Sequence, residues 1–352
     1  MHLLEAGTNP ATADHYLWCT PDTVTWGTLP TPATPPVLKI DDGQTVTFDT
    51  VSQEGLMEDQ GRDPVGYFGQ FGVDRSHVLS DAIALADSDL RRGVKPPGPH
   101  IVLGPVQVRG AEPGDWLRVD FLELEPRVPY GVISSRHGRG CLPDQFPRLD
   151  DGSSPAVFSK FCSLNDSGTQ ARFDHGAGHA LIDIRPFMGL CGVTPDSTTP
   201  LSTIPPGAFG GNIDIREIVL GSSLYLPVQV PGAGFYLGDP HFAQGNGEIA
   251  LTALEGSLRV TARFSLVTTG LDQRSPWPFA ETDDHWIILG MHEDLDEAMR
   301  HCARLSVDFL SSRTGMTPGE AYLYLSAAGD FSVTQVVDIV KGVHCSIRKR
   351  SF

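Results

Sequence analysis

Lysine is scarce in this sequence, five among 352 residues, and acidic side chains outnumber basic ones by 43 to 26, for a formal charge of −17. Such a field repels phosphate backbones and anionic bilayers, which excludes nucleic acid and membrane surfaces as partners. The one basic cluster, RKR at 348–350, reads as a solvated tail. Cysteine is thin as well: six residues, at 19, 141, 162, 191, 302 and 345, with no CxxC pair and none of the density of a secreted disulfide framework. They are expected to be reduced. No apolar run approaches the roughly 18 residues of a membrane helix, and residues 1–18 carry no apolar stretch behind basic ones. A cytoplasmic location is expected.

Nucleophile signatures are missing too. There is no G-x-S-x-G elbow, which disfavours an α/β-hydrolase. The serine pairs Ser153-Ser154 and Ser222-Ser223 lack the lysine-bearing Gly-Ser framework of a serine amidase, and no cysteine stands in a nucleophile setting.

What is abundant is glycine, 38 residues, and proline, 28, which call for many turns and short strands. A β-dominated α+β fold is expected, with duplicated β units forming packed sheets or a barrel-like sandwich. Residues 37–51 (VLKIDDGQTVTFDTV) alternate apolar and polar around an Asp-Gly turn and predict a hairpin. Residues 101–124 repeat the pattern, and 249–267 predict a further strand pair. PVQVRGAEPGD at 105–115 is echoed by PVQVPGAGFYLGD at 227–239, the basis for the duplication. Residues 126–183, rich in Gly, Ser and Asp, read as a loop-rich insertion between an N-terminal β unit, 1–125, and a second β unit with C-terminal helices, 184–352. One compact body is expected. Near the end, Asp294 with Glu297 forms a capping box, followed by Leu295, Ala298, Cys302, Leu305 and Phe309 on one face and a stop at Gly315. Thr317, Pro318 and Glu320 open a second helix, and residues 331–340 return to strand.

The densest polar constellation is GGNIDIRE at 210–217 taken with LGDPHFAQGNGE at 237–248. Asn212 and Asp214 are two apart, as are Asp239 and His241, so each pair shares a face if extended. Glu248 follows in a turn where Gly245 and Gly247 allow close backbone approach to a ligand. Amide hydrolysis needs activated water, a stabilised oxyanion and a proton for the amine; a divalent metal supplies the first two and a carboxylate the third. Asp214, Asp239 and His241 suit ligation and Glu248 the shuttle, although Asp and Asn beside Gly and Pro also serve as plain turn residues. His100 stands just before the first copy of the repeat and Glu112 within it, and both reach the same cavity if the copies pack side by side. His175 and His179, in DHGAGH, form a second candidate metal pair, but the intervening glycines argue against the helix it needs.

Three blocks resemble the acetamidase/formamidase family: GPVQVRGAEPGDWLRVD, GGNIDIREIVLGSSLYLPVQVPGAGFYLGDPHFAQGNGEI and the tail EDLDEAMRHCARLSVDFLSSRTGMTPGEAYLYLSAAGDFSVTQVVD. With His15 and DDGQTVTFDT they span most of the chain in the family's order. The resemblance implies a homo-oligomeric β-rich enzyme, a homodimer at first guess, that hydrolyses formamide- or acetamide-like linear amides to acid and ammonia. It also implies a divalent metal, zinc first and calcium second. The matching positions are His100, Glu112, Asn212, Asp214, Asp239, His241, Gln244 and Glu248. Asn212 and Gln244 become substrate-binding residues, and Glu248 and Glu112 catalytic candidates. Phe242, where the family has a smaller residue, would shape the pocket, and Asn246 replaces a common carboxylate. A hydrolase of a larger or cyclic amide, a metal lyase, and a catalytically silent binder of a small ligand are the alternatives.

Overall fold

A computed structural model describes residues 3–8, 12–92, 97–268, 271 and 276–352. Two large sheets pack against each other. The first runs, edge to edge, through His15–Trp18, Thr45–Asp49, Leu258–Val267, Trp116–Pro126, Ser223–Pro227, Phe279–Glu281, His285–His292, Lys341–Arg348 and Asp330–Gln335. The second runs through Gly178–Asp183, Gln170–His175, Val157–Leu164, Tyr130–Arg136, Leu254–Glu255, Phe235–Ala243, Phe187–Val193 and Gly210–Asn212. Ile101–Val108 joins the second sheet beside Phe235–Ala243 and carries Val24–Trp26 and Leu38–Ile40 with it. Between the sheets Phe48 and Phe264 of one meet Phe235 of the other, with ring centroids 6.2 and 4.9 Å apart. This aromatic contact lies in the main core, where alternate residues of both sheets face inward.

The expected hairpins are not hairpins. Leu38–Ile40 and Thr45–Asp49 lie in different sheets, as do Ile101–Val108 and Trp116–Pro126, and Leu254–Glu255 and Leu258–Val267. Each turn is a corner that hands the chain across the sandwich. The Asp-Gly signal is correct locally, since Gly43 sits at φ 84°, but the strands that follow pair elsewhere. The two echoing segments lie side by side at one such crossing: Val108 N–H donates to Gly232 O at 3.0 Å, Gly232 N–H to Ala111 O at 2.7 Å and Val228 N–H to Asp115 O at 2.9 Å.

Residues 126–183 are not chiefly loop. Tyr130–Arg136, Val157–Leu164, Gln170–His175 and Gly178–Asp183 form an antiparallel meander that extends the second sheet, and an irregular stretch separates only the first two. Its edge strand, Gly178–Asp183, buries neither face, which erases the period-two signal there.

The C-terminal helices stand where expected, although of the box expected at Asp294 only the half from Asp294 is made. Leu295–Thr314 is capped by Asp294, whose carboxylate accepts from Glu297 N, and stops at Gly315 with φ 76°. Pro318–Ala328 has the full capping box of Thr317 and Glu320. The long helix presses on the first sheet at Gly290, where an added Cβ would fall 2.1 Å from the Cys302 backbone nitrogen. The strand expected over 331–340 runs from Asp330 to Gln335 only, and residues 336–340 turn back toward the cavity described next.

Candidate active site

The strand Phe235–Ala243 places Asp239 and His241 on one face and Phe242 on the other. Phe242 is fully buried against Gly256, so it belongs to the core and not to a substrate pocket. Opposite His241 in register stands Glu255. Asp214 follows Gly210–Asn212, and Glu248 sits in the glycine-rich turn. That turn is tied to the edge strand Asp330–Gln335 and the residue after it by Gly247 N–H to Thr334 O at 3.0 Å and Val336 N–H to Gly247 O at 3.2 Å. The same C-terminal segment brings in Asp338. Asp214, Asp239 and Glu248 all occupy the left-handed region, at φ 48°, 55° and 43°. Such backbone costs about 1–3 kcal/mol per residue and persists only where the surroundings fix it, a concentration usual at functional sites.

His241 is held on both sides. Gln244 Nε2 donates to the carbonyls of Asp214 (2.9 Å) and Thr334 (3.3 Å), so its Oε1 must face His241 Nδ1, at 3.1 Å. Nδ1 therefore carries a proton, and Nε2 points at Asp239 Oδ2 (3.1 Å) and Glu255 Oε1 (3.2 Å). His100 repeats the arrangement: Nδ1 faces the Thr203 carbonyl at 3.2 Å, and Nε2 lies 3.7 Å from Asp239 Oδ2. Two imidazole lone pairs aimed at one carboxylate repel it unless a proton or a cation lies among them. Gln53 Nε2 donates to the other oxygen, Asp239 Oδ1, at 2.8 Å and so orients the carboxylate.

Around this centre the buried oxygens Asn212 Oδ1, Asp214 Oδ1 and Asp338 Oδ2 find no donor among the described residues. Asp214, His241 and Glu248, and separately Asp239, His241 and Glu255, bring donor atoms within 4.8 Å of one another. Gly189 forms the underside: a Cβ there would fall 2.5 Å from Asp214 Oδ1, 2.7 Å from His241 Cε1 and 2.8 Å from Asp239 Oδ2. The acidic and histidine groups present thus suit a metal ion.

The electrostatics follow from crowding without water. Burial, with Asp338 and Asp239 beside it, pushes Asp214 well above the carboxylate range. Glu248 is driven the same way by burial and by Asp214, and Asp338 by burial and by Glu248. Burial and Asp239 push Glu255 up to about 8. Burial also acts upward on Asp239, but His100 and His241 together hold it below its ordinary value. Burial holds His100 low, whereas on His241 it is overcome by Glu255 and Asp239, which raise it well above an ordinary imidazole.

Above the centre opens a cavity of about 660 Å³ whose lining includes His100, Asn212, Asp214, Asp239, Glu248, Glu255 and Asp338. His241 and Gln244 are not in that lining; they lie beneath it, so Gln244 acts through His241 and does not face a substrate. Glu112 is exposed on the corner after Ile101–Val108, its N–H bonded to Asp115, and does not line the cavity. The expected convergence of the repeats fails for Glu112 because its crossing loop faces solvent. His175 and His179 sit on the exposed tip of a hairpin and join no metal-ligand group among the described residues. Sequence reading missed Gln53, Glu255 and Asp338. For the two acids the available signal is a lone carboxylate in an apolar run, TALEGSL and QVVDIV.

A family model described as the acetamidase/formamidase family matches residues 197–348. A formamidase from Methylophilus methylotrophus is 27% identical over 218 residues, 49% of this chain and 53% of that protein, so the chain spans about half the length of that relative. An acetamidase from Mycolicibacterium smegmatis is 26% identical over 337 residues, 72% of this chain and 79% of its own. The crystal structure of an acetamidase from Bacillus halodurans superposes with a TM-score of 0.73 at 25% identity, over 96% of this chain and 98% of that one. The family resemblance seen in the sequence is borne out.

Proposed function

This chain is similar to the acetamidase/formamidase family, and from that premise we propose that it is a metal-dependent hydrolase of the C–N bond in linear amides, releasing carboxylate and ammonia. The observation that carries the reading is the pair of imidazoles, His100 and His241, whose Nε2 atoms converge on Asp239 while their Nδ1 atoms are spent on protein acceptors. His100, Asp239 and His241 would hold the metal, zinc by preference for imidazole and carboxylate and calcium as the second choice, with Asp214 and Glu255 adjacent. When bound, the ion supplies Lewis acidity toward a carbonyl and acidity to water.

The remaining steps belong to side chains. Asn212, on the cavity wall, orients the amide by hydrogen bonding. Glu248 takes the proton of the attacking water on its carboxylate and passes it to the nitrogen, which departs as ammonia once the C–N bond breaks. Exhaustive chelation of the protein should abolish ammonia release from acetamide, and added zinc should restore it. Full turnover in demonstrably metal-free protein would rule the proposal out.

A homo-oligomer, a homodimer at first, is part of the same proposal. The helix Pro318–Ala328 buries Ala321 and Leu325 but presents Tyr322 and Leu323 outward, 64% and 72% exposed. Beside it the sheet ends in Asp330–Gln335, an edge strand. Apolar side chains next to an open edge support burial against a second copy. Light scattering should give a dimer or larger mass that Leu323→Asp lowers; a monomer mass unchanged with concentration contradicts it. No described helix is long and apolar enough to cross a membrane. All six cysteines are free, in keeping with the reducing cytoplasm proposed as its location.

A further inference from the structure

The cavity is far larger than acetamide requires. At about 660 Å³ it falls within the ~300–1,000 Å³ of sites that enclose drug-sized ligands, whereas acetamide takes roughly the volume of three waters, ~100 Å³. Its lining is graded. Asp214, Asp239, Glu248, Glu255, Asp338 and His100 form a buried floor, the exposed Glu58 and Asp59 line it as well, Met57, Pro99, Val157, Ile204 and Leu251 contribute apolar wall, and three arginines complete it. Two of these are neutralised: Arg91 binds Glu58 and the Gly98 carbonyl, and Arg136 binds Glu54 and Asp59. Arg139 is exposed, and its guanidinium has no ion pair or hydrogen bond among the described residues.

The position of Arg139 is fixed by main chain. Cys141 N–H donates to Ile249 O at 2.8 Å. Gly140, at φ 76°, lies so close to the carbonyls of Ile249 and Ala250 that an added Cβ would come within 3.1 and 3.3 Å of them. The arginine is thereby held beside the turn that carries Glu248, at the solvent end of the cavity.

We propose that Arg139 receives a carboxylate, so that the preferred substrate is a primary amide whose acyl chain ends in a carboxylate, its amide at the floor and its anionic end at the mouth. This rests on the amide-hydrolase reading. Water adds to the amide carbon, the C–N electron pair leaves with nitrogen as ammonia, and the product is a dicarboxylate. The chain's charge of −17 opposes an anion at long range, but salt at physiological strength screens it beyond about 8 Å. A guanidinium at contact distance acts inside that range, and its planar fork matches a carboxylate.

The test measures ammonia release by the holoenzyme for amides matched in chain length, glutaramate against pentanamide and adipamate against hexanamide, with acetamide as reference. A charge-assisted pair is worth on the order of ten- to a hundredfold, so wild type should favour the anionic member by at least about tenfold in kcat/KM. That ratio should shrink with added salt, collapse toward one in Arg139→Gln and fall only in part in Arg139→Lys, which keeps the charge but not the fork. Equal or better turnover of the neutral member, or a preference that survives Arg139→Gln, overturns the proposal and leaves amide hydrolysis standing. If no amide releases ammonia, the hydrolase reading falls first. Calorimetry then decides the mouth alone: glutarate binding more tightly than pentanoate, with the difference lost in Arg139→Gln, upholds carboxylate recognition, and equal binding ends it.

Discussion

Replacing Glu248 with Gln should lower kcat for amide hydrolysis by roughly 10²- to 10⁴-fold, about 3–5 kcal/mol of barrier, while metal content stays near wild type. Glutamine keeps the size of the side chain and one carbonyl oxygen but cannot take a proton. Glu248 lines the cavity at 8% exposure, in a left-handed backbone position next to Gly247, whose main chain is bonded to the edge strand Asp330–Gln335. Burial and the nearby Asp214 raise it well above an ordinary carboxylate, which makes it a stronger base toward water. His241→Ala should instead lose metal and rate together, because Gln244 and Glu255 fix that imidazole beneath the floor and nothing else there can replace its nitrogen. Metal analysis of both variants beside their kinetics separates the roles. Since Glu248 also lies within reach of the Asp214 and His241 donor atoms, loss of metal in Glu248→Gln would make it a ligand and send the search for the base to Glu255. Normal turnover would remove it from the mechanism.

Local signals survived the passage from sequence to structure and pairing signals did not. The caps at Asp294 and Thr317 and the stop at Gly315 depend on residues three or four apart, so the two C-terminal helices are readable almost to the residue. The buried face is turned slightly from the expected one, with Ser306 and Leu310 inside where Leu305 and Phe309 are half-buried. In contrast, an alternating strand, a glycine turn and another alternating strand look the same whether the chain folds back or crosses to the facing sheet. Burial on the second strand comes from distant partners such as Phe235 and Phe264, which the local pattern does not name. The meander within 126–183 fails for the opposite reason. In Val157–Leu164 only Cys162 is buried, so no apolar face marks the strand. The helices Pro64–Gly69 and Ser80–Asp87 are too short to establish a period.

The site divides in the same way. Asn212, Asp214, Asp239, His241 and Glu248 stand in two glycine-rich blocks, where polar residues at short spacing announce themselves, and the fold brings the two blocks together. His100 comes in through Thr203, a contact between segments 103 residues apart that no spacing rule anticipates. Glu255 and Asp338 are single acids in apolar strings, and Gln53 is an amide between turns. Their functional placement exists only through the strand register of Glu255 opposite His241, the hydrogen bond of Gln53 to Asp239, and the tie of the segment before Asp338 to Gly247. Glu112 shows the converse error: a residue in a conspicuous motif whose own turn explains it, through the bond of its N–H to Asp115.

Asp49→Asn is the second substitution expected to have a large effect, on stability and not on chemistry. Asp49 ends the second strand of the first sheet, paired on both sides, with no exposed surface. Arg259 grips it with two hydrogen bonds of 2.7 Å, Tyr16 adds its hydroxyl, and the fully buried Arg127 lies 3.8 Å away. Arg127 also pairs with Asp81 at 2.8 Å and donates to the carbonyls of Leu4 and Thr50, so the cluster fastens the N-terminal segment to the sandwich. Within it two guanidinium groups are balanced by two carboxylates. Asparagine has the same shape but leaves one positive charge uncompensated in a medium that solvates it poorly, and breaking such a pair costs about 3–5 kcal/mol. With unfolding entropy near 2 cal/mol/K per residue, a chain of 352 residues should lose roughly 4–7 °C in Tm. Asp49 does not line the cavity, so turnover well below Tm should be retained. Adding Arg259→Met should return part of the loss, because removing both partners costs less than stranding one. An unchanged Tm in Asp49→Asn would mean that the cluster is satisfied without its central anion, and the N-terminal segment would have to be held by its main-chain bonds alone.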